Sequence, residues 1–377
     1  MWKGTTMPGI SNAKTVVNRR VDGDTDATKP QMDELVALAE KNLPYDSLHV
    51  WNANINGNIV QLRTNSHHLM DFWIENWFPA RLEGLQPHGV IYAVMGVDGV
   101  EPHAHYCSET RTAVFLNTDY YGQCKSWALG MVADIMEMQH NVHSIHAAVV
   151  DIGGSGIAII APTGTGKSTQ SYGLVLHVPN ARIHSDDWCY VDYIGGASRG
   201  RASATISERK FYMRTDIAET FPEMATLFDR SKLENVGDTY WAVNNSRAML
   251  DPNWIGGPDK FTYTTRIRSV VLLRRDGTSP PEQQLEPDEA IEVLNKGEYM
   301  VLPGSGPESE WGKLKTETFY NPYLLVKSEE REQIQTQFFR RLFTHATCHI
   351  LNTGVETVVE THERILRIAH EATQRAE

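Results

Sequence analysis

IHAAVVDIGGSGIAIIAPTGTGKST, residues 145–169, is the stretch whose reading decides the fold. Two apolar β runs, IHAAVVD and IAIIA, flank the Gly-rich turn IGGSG, so the pattern predicts an antiparallel pair. The second run feeds Ala161-Pro162-Thr163-Gly164-Thr165-Gly166-Lys167-Ser168-Thr169, and helix-compatible SYGLVLHV follows. Ala/Gly-x4-Gly-Lys-Ser/Thr is a phosphate-binding pattern, and average composition gives a chance match of about 0.03 in a chain of this length. Gly164 and Gly166 let backbone N–H groups curl around phosphate oxygens, and the helix N-terminus adds partial positive charge. Lys167 is expected on the β/γ-phosphates of ATP and the Ser168 hydroxyl on Mg²⁺. Thr163, Gly164, Thr165, Gly166 and Thr169 complete the expected nucleotide loop. The competing reading is a Gly-rich turn that binds nothing. The antiparallel entry sets the unit apart from doubly wound nucleotide folds, whose loop strand arrives by a parallel crossover.

Downstream, ARIHSDDW ends in Asp186-Asp187. Adjacent carboxylates some twenty residues after a phosphate loop suit metal binding or activation of an acceptor hydroxyl; alone they would read as a cap or a loop. Upstream, His146 opens the strand paired with the loop strand, which could aim it at the γ-phosphate. His140, His143 and His146, and separately His103 and His105, are closely spaced, but a zinc site needs a fourth ligand and clearer geometry.

Further out, Lys125–Gln139 has helical spacing at Ala128, Val132, Ile135 and Met136. Strands are expected at Val90–Val94, Thr112–Leu116, Phe211–Arg214, Ser269–Arg274 and CHILN, residues 348–352. Helices are expected near 31–43, 286–294, 329–343 and 357–371. LHVWNANINGNIVQLRT reads as a hairpin about Asn56-Gly57, and Asn65 or Ser66 as the cap of a helix through Trp77. The expected architecture is α/β with a mixed sheet. Residues 1–30 form a flexible arm, 31–110 a smaller N-terminal α+β region, and 111–377 the phosphate-loop domain.

Composition narrows the function. Across 377 residues, 41% hydrophobic and 22% charged is ordinary globular usage. The net charge of −12, with no Lys/Arg block, argues against sequence-independent nucleic-acid binding. No apolar run approaches the ~20 residues that span a bilayer. Cys107, Cys124, Cys189 and Cys348 stand apart, as reduced thiols do, so a cytoplasmic protein with no membrane partner is expected. The oligomeric state stays open.

The order of these motifs resembles that of ATP-dependent phosphoenolpyruvate carboxykinase and the related HPr kinase/phosphorylase over roughly residues 111–354. TDYYGQCKSW is similar to the carboxykinase segment with a metal-binding Lys, which implies that role for Lys125. SIHAAVV is similar to the segment carrying its metal-binding His, here His146. APTGTGKST resembles the kinase loop and HSDDW the Asp-Asp motif. ERKFYMR resembles a stretch that implies a metal-site Glu at Glu208 and a phosphate-contacting cation at Arg214. NNSRAMLDP resembles the segment whose Arg contacts the γ-phosphate, here Arg247, and CHILNTG is similar to Val-Asn-Thr-Gly. The chain departs from both families: no Arg-Ser-Pro-Lys-Asp-like segment is present, and the loop ends Lys-Ser-Thr where HPr kinases have Lys-Ser-Glu.

The resemblance therefore implies intact phosphoryl-transfer machinery with altered substrate sites. It implies a phosphoenolpyruvate carboxykinase-like P-loop fold and an ATP-dependent kinase acting on a hydroxyl of a small molecule or of a protein or peptide Ser. Mg²⁺ would sit on Ser168, and a second ion, Mn²⁺ by its mixed N/O ligands, among Lys125, His146, Asp187 and Glu208. Asp186 or Asp187 is the expected base, with His146 next; Lys167, Arg214 and Arg247 stabilise the moving phosphoryl group. The alternatives are a true carboxykinase and a non-catalytic ATP-binding regulator.

Overall fold

A computed structural model describes residues 13–14, 19–81, 86–162, 164–194, 201–236, 245–301, 310 and 312–374. Thr163 of the loop, and residues 1–12 and 15–18 of the expected arm, lie outside the described residues. The fold is mixed α/β with mixed sheets. Among the described residues no helix is long and apolar enough to cross a membrane.

A seven-stranded sheet runs in the order Gly23–Asp24, His103–Cys107, Thr112–Leu116, Gly89–Val94, Asn58–Thr64, His49–Ile55, Phe78–Pro79. Its hairpin turns at Asn56 and Gly57 with φ of 47° and 85°, the left-handed pair that matches strand twist. The sheet takes in Thr112–Leu116, past the boundary drawn at 110. It also reaches back into the expected arm, where Gly23–Asp24 pairs with the strand at 103–107.

The larger sheet has nine strands. Ala148–Ile152 and Ser155–Ile160 form the antiparallel pair expected from the IGGSG turn. Ser155–Ile160 then lies parallel to Thr264–Arg274, which in turn lies parallel to Thr347–Asn352. The antiparallel strands Arg201–Ile206, Cys189–Ile194 and His143–Ile145 extend the sheet on one side, and Ala181–Ser185 closes the other. A smaller four-stranded sheet contains Phe211–Arg214 and Arg247–Leu250, and Gly297–Met300 pairs with Leu314–Glu317.

The helix Tyr121–His140 is buried on nearly every side. Its Met131 and Val132 share one apolar cluster with Ile91 and Phe115 of the first sheet and Ile160 and Tyr190 of the second. Each such side chain contributes about 1.5–3 kcal/mol when fully buried. A second cluster lies under the helices Lys167–His177 and Val358–Gln374. The first helix starts at Lys29, earlier than its apolar spacing suggests, because Thr28 and Gln31 form a capping box with Pro30 in the first turn. Gly297 lies just past the end of the helix Pro287–Asn295 and also opens a strand.

Candidate functional site

The strand Ser155–Ile160 delivers the chain to the phosphate loop, and Lys167 begins the helix that leaves it. Gly164 and Gly166 have φ of 86° and 106°, where an L side chain would be strained. Thr165 folds the loop on itself by donating its hydroxyl to the Pro162 carbonyl at 2.7 Å. The Asn352-Thr353-Gly354 turn braces it from outside, with the Thr353 hydroxyl donating to the Thr165 carbonyl at 2.7 Å. Ser168 and Thr169 stand in the first turn of the helix. A strand, Gly-rich loop and helix N-terminus in this order is an arrangement suited to phosphate, whose oxygens backbone N–H groups can bind.

Beside the loop, residues distant in sequence meet. Asp187 is the hub. Its Oδ1 accepts from Lys167 Nζ at 3.0 Å and from His146 Nε2 at 2.9 Å, while its Oδ2 accepts from Lys125 Nζ at 3.0 Å. Lys125 also lies 3.1 Å from Glu208 Oε1, and Lys167 Nζ lies 3.3 Å from His146 Nε2. Burial alone would push the Asp187 carboxyl up, but Lys125, Lys167 and His146 hold it well below the usual carboxylate range. Burial, then the Lys167 ammonium, pushes His146 down, so the ring is neutral. Burial opposes the charge of Lys125, but Asp187 and Glu208 outweigh it and hold the ammonium above its ordinary value. A lysine ligates metal only when neutral, so in this geometry Lys125 acts as a charged partner of two carboxylates.

Asp186 differs from its neighbour. Its buried Oδ1 and the buried Tyr172 hydroxyl lie near each other without forming a well-aligned hydrogen bond. Burial, then the Asp187 charge, pushes the Asp186 carboxyl up to about 6. The two aspartates, equivalent in sequence, are thus one saturated carboxylate and one with an oxygen to spare.

Arg214 and Arg247 sit directly opposite each other in an antiparallel pair. Like charges so placed repel. Arg214 is held by Asp216, through Nε at 2.8 Å. Arg247 lies over the Tyr212 ring at 5.7 Å, with its Nη1 buried and unpartnered among the described residues. That unmet N–H is suited to an anion.

Several neighbours carry no motif. Buried Asn76, at the end of the Ser66-capped helix His67–Asn76, donates to Glu208 Oε1 at 3.0 Å and accepts from the Tyr121 hydroxyl at 2.6 Å. The only signal is an Asn inside the apolar run DFWIENW. The Tyr323 ring stands edge-on to His146 at 5.0 Å, and Arg20 lies over that Tyr323 ring at 5.2 Å. Nothing in sequence marks either residue. No protein-family model and no curated protein matches this chain.

Proposed function

We propose that the chain is an ATP-dependent kinase of the phosphoenolpyruvate carboxykinase-like P-loop type, transferring the γ-phosphoryl group to a hydroxyl of a small molecule or of a protein or peptide Ser. The observation that carries this reading is the convergence of Lys125, His146 and Lys167, the first residue of the loop helix, on Asp187, with Glu208 pairing Lys125 from the other side.

With three cationic or N–H donors on one carboxylate, Lys167 can turn to the phosphates of ATP and leave Asp187 compensated by Lys125 and His146. The spare oxygen of Asp186 and the Ser168 hydroxyl, in the first turn of the loop helix, are the groups that would hold one divalent cation, Mg²⁺ or Mn²⁺; without it Asp186 could take a proton from the acceptor. When bound, such a cation neutralises charge on the phosphate oxygens. The acceptor oxygen attacks the γ-phosphorus, the bond to the β–γ bridging oxygen breaks, and the acceptor proton passes to Asp186. Asp187 is a poor base because its proton affinity is suppressed. Arg247, with Arg214 behind it, would take the charge developing on the γ-phosphoryl oxygens.

The test is an ATP-consumption screen over metabolite and peptide pools with Mg²⁺ and with Mn²⁺. Activity found there should fall about 10³-fold in Lys167→Ala, on the scale of losing a charge from the transferred group. Unchanged turnover in that variant would sink the assignment. Phosphoenolpyruvate formation from oxaloacetate that depends on Lys167 would replace the kinase with a carboxykinase.

A further inference from the structure

A second cluster of ligating side chains lies away from the phosphate loop. His103 and His105 alternate along one strand, so both rings leave the same face, and their centroids are 4.6 Å apart. The neighbouring parallel strand sets Asp24 opposite His105. One carboxylate oxygen, Asp24 Oδ2, lies 3.1 Å from His103 Nε2 and 3.6 Å from His105 Nδ1. Among the described residues, this is the group of His, Cys, Asp and Glu whose ligand atoms all fall within 4.8 Å of one another.

We propose that Asp24, His103 and His105 form a zinc-class divalent metal site that staples the N-terminal segment to the seven-stranded sheet. Bonds of ~2.0–2.1 Å in a tetrahedron give ligand–ligand edges of about 3.3 Å, so the carboxylate oxygen and each ring nitrogen already stand near coordinating separation. Two imidazoles and one carboxylate suit Zn²⁺ and its neighbours in the first transition row, not Mg²⁺ or Ca²⁺. Asp24 is 60% exposed at its side chain, which leaves the outer positions to water. An open cleft of about 410 Å³ adjoins it, lined by Asp24, Asp26, Gln31, Glu34, Leu35 and His105. Its acceptors can bind the hydrogens of metal-bound water.

What the staple holds is the run from Arg20 to Asp24. Gln123 clamps both backbone groups of Val21, at 2.8 and 2.9 Å. Arg20 donates to the Ser126 hydroxyl at 3.0 Å, one residue from Lys125, and covers the Tyr323 ring that abuts His146. A metal at Asp24 therefore fixes the segment that carries Arg20 to the edge of the candidate site.

Calorimetric titration with Zn²⁺ alone, on the full chain carrying His146→Ala to remove the competing donor, should find one site. Affinity should drop about 10²-fold or more when Asp24→Asn or the pair His103→Ala and His105→Ala is added. Zn²⁺ should also slow tryptic cleavage after Arg20, read by mass, and should not do so in Asp24→Asn. Asp24 is exposed and the two histidines are half-buried, so circular dichroism with the urea midpoint checks that each variant is folded. Absent binding, or equal affinity in the variants, overturns the site. Binding without protection after Arg20 overturns the staple.

Discussion

The helix Tyr121–His140 carries a buried charge cluster at each end, and the two are built on opposite principles. Near its C-terminus, Arg331 Nε donates to Glu137 at 2.6 Å, and Arg331 Nη1 donates to Asp134 and, at 2.8 Å, to the Val326 carbonyl. The other Glu137 oxygen accepts from the Ser144 N–H at 2.9 Å and the Ser144 hydroxyl at 2.5 Å. Both Glu137 oxygens are thus committed to partners inside the fold. Arg331 Nη2 is buried without a well-formed hydrogen bond, but it lies 2.6 Å from the Glu137 carboxylate that balances its charge. Near the N-terminus, three donors crowd Asp187 while Asp186 and Arg247 keep buried atoms unpaired. Removing charge from water is costly, and a cluster that serves only the fold compensates its charges with one another. Leaving some uncompensated is expected where a charged ligand completes the set.

Four measurements would break or sharpen this contrast. Arg331→Leu leaves Asp134 and Glu137 buried without their cation, so the urea midpoint should reveal a loss of about 3–5 kcal/mol. Turnover per folded molecule should be unchanged; a catalytic loss at full stability would erase the distinction. Next comes His143, three residues from His146 but stacked on Phe338 at 4.2 Å on the closed side. Burial pushes His143 down to about 4. Below its ordinary value near 6.5 the unfolded ring binds a proton that the native ring refuses. Stability should therefore fall as pH drops from about 6.5 towards 4, by up to about 3 kcal/mol. Buried His184 is pushed down to about 4 likewise, so His143→Leu should reduce that slope without removing it; an unaltered slope would mean that His143 takes no part in it.

His146→Ala strikes the open cluster. It should cut turnover by about 10²-fold while ATP binding, followed with a fluorescent analogue, stays within a few-fold. Lost ATP binding would recast His146 as a nucleotide-binding group. The smallest effect is expected for Ser66→Ala, which removes the cap that accepts from the Leu69 N–H at 3.3 Å. A loss of about 1 kcal/mol in stability, with turnover intact, would show that Asn76 keeps its place through its own bonds to Glu208 and Tyr121 rather than through the cap.

Local features were readable in the sequence because local chemistry determines them. Asn56-Gly57 reads as a hairpin because few other pairs adopt left-handed backbone, and the Ser66 cap and the 3.6-residue spacing of the helix at 121–140 are equally local. The strands at 103–107 and 201–206 carried no such signal. HAHYC and RASATI do alternate polar with apolar residues, but over only five or six positions and with small alanines among the inward ones, and their neighbours hold them in the sheet. In the candidate site, the loop and the Asp pair were legible as contiguous motifs. That His146, Lys125 and Glu208 meet is a matter of strand order, which no spacing encodes. Asn76, Tyr323 and the Asp24 contact to two histidines were invisible, because each is set by a tertiary neighbour far along the chain.

The strand Thr264–Arg274 has a consequence for how the molecule comes into being. The seven-stranded sheet needs only residues 23–116, so it can close while the ribosome is still making the rest. The loop strand Ser155–Ile160 must wait for its parallel partner at 264–274, and that partner for Thr347–Asn352. The loop then gains its outer brace only when Thr353 reaches the Thr165 carbonyl. Pairings this distant are slow to form, because chain closure costs entropy before the contacts return it. The Gly-rich loop at 161–169 is therefore among the last parts to mature.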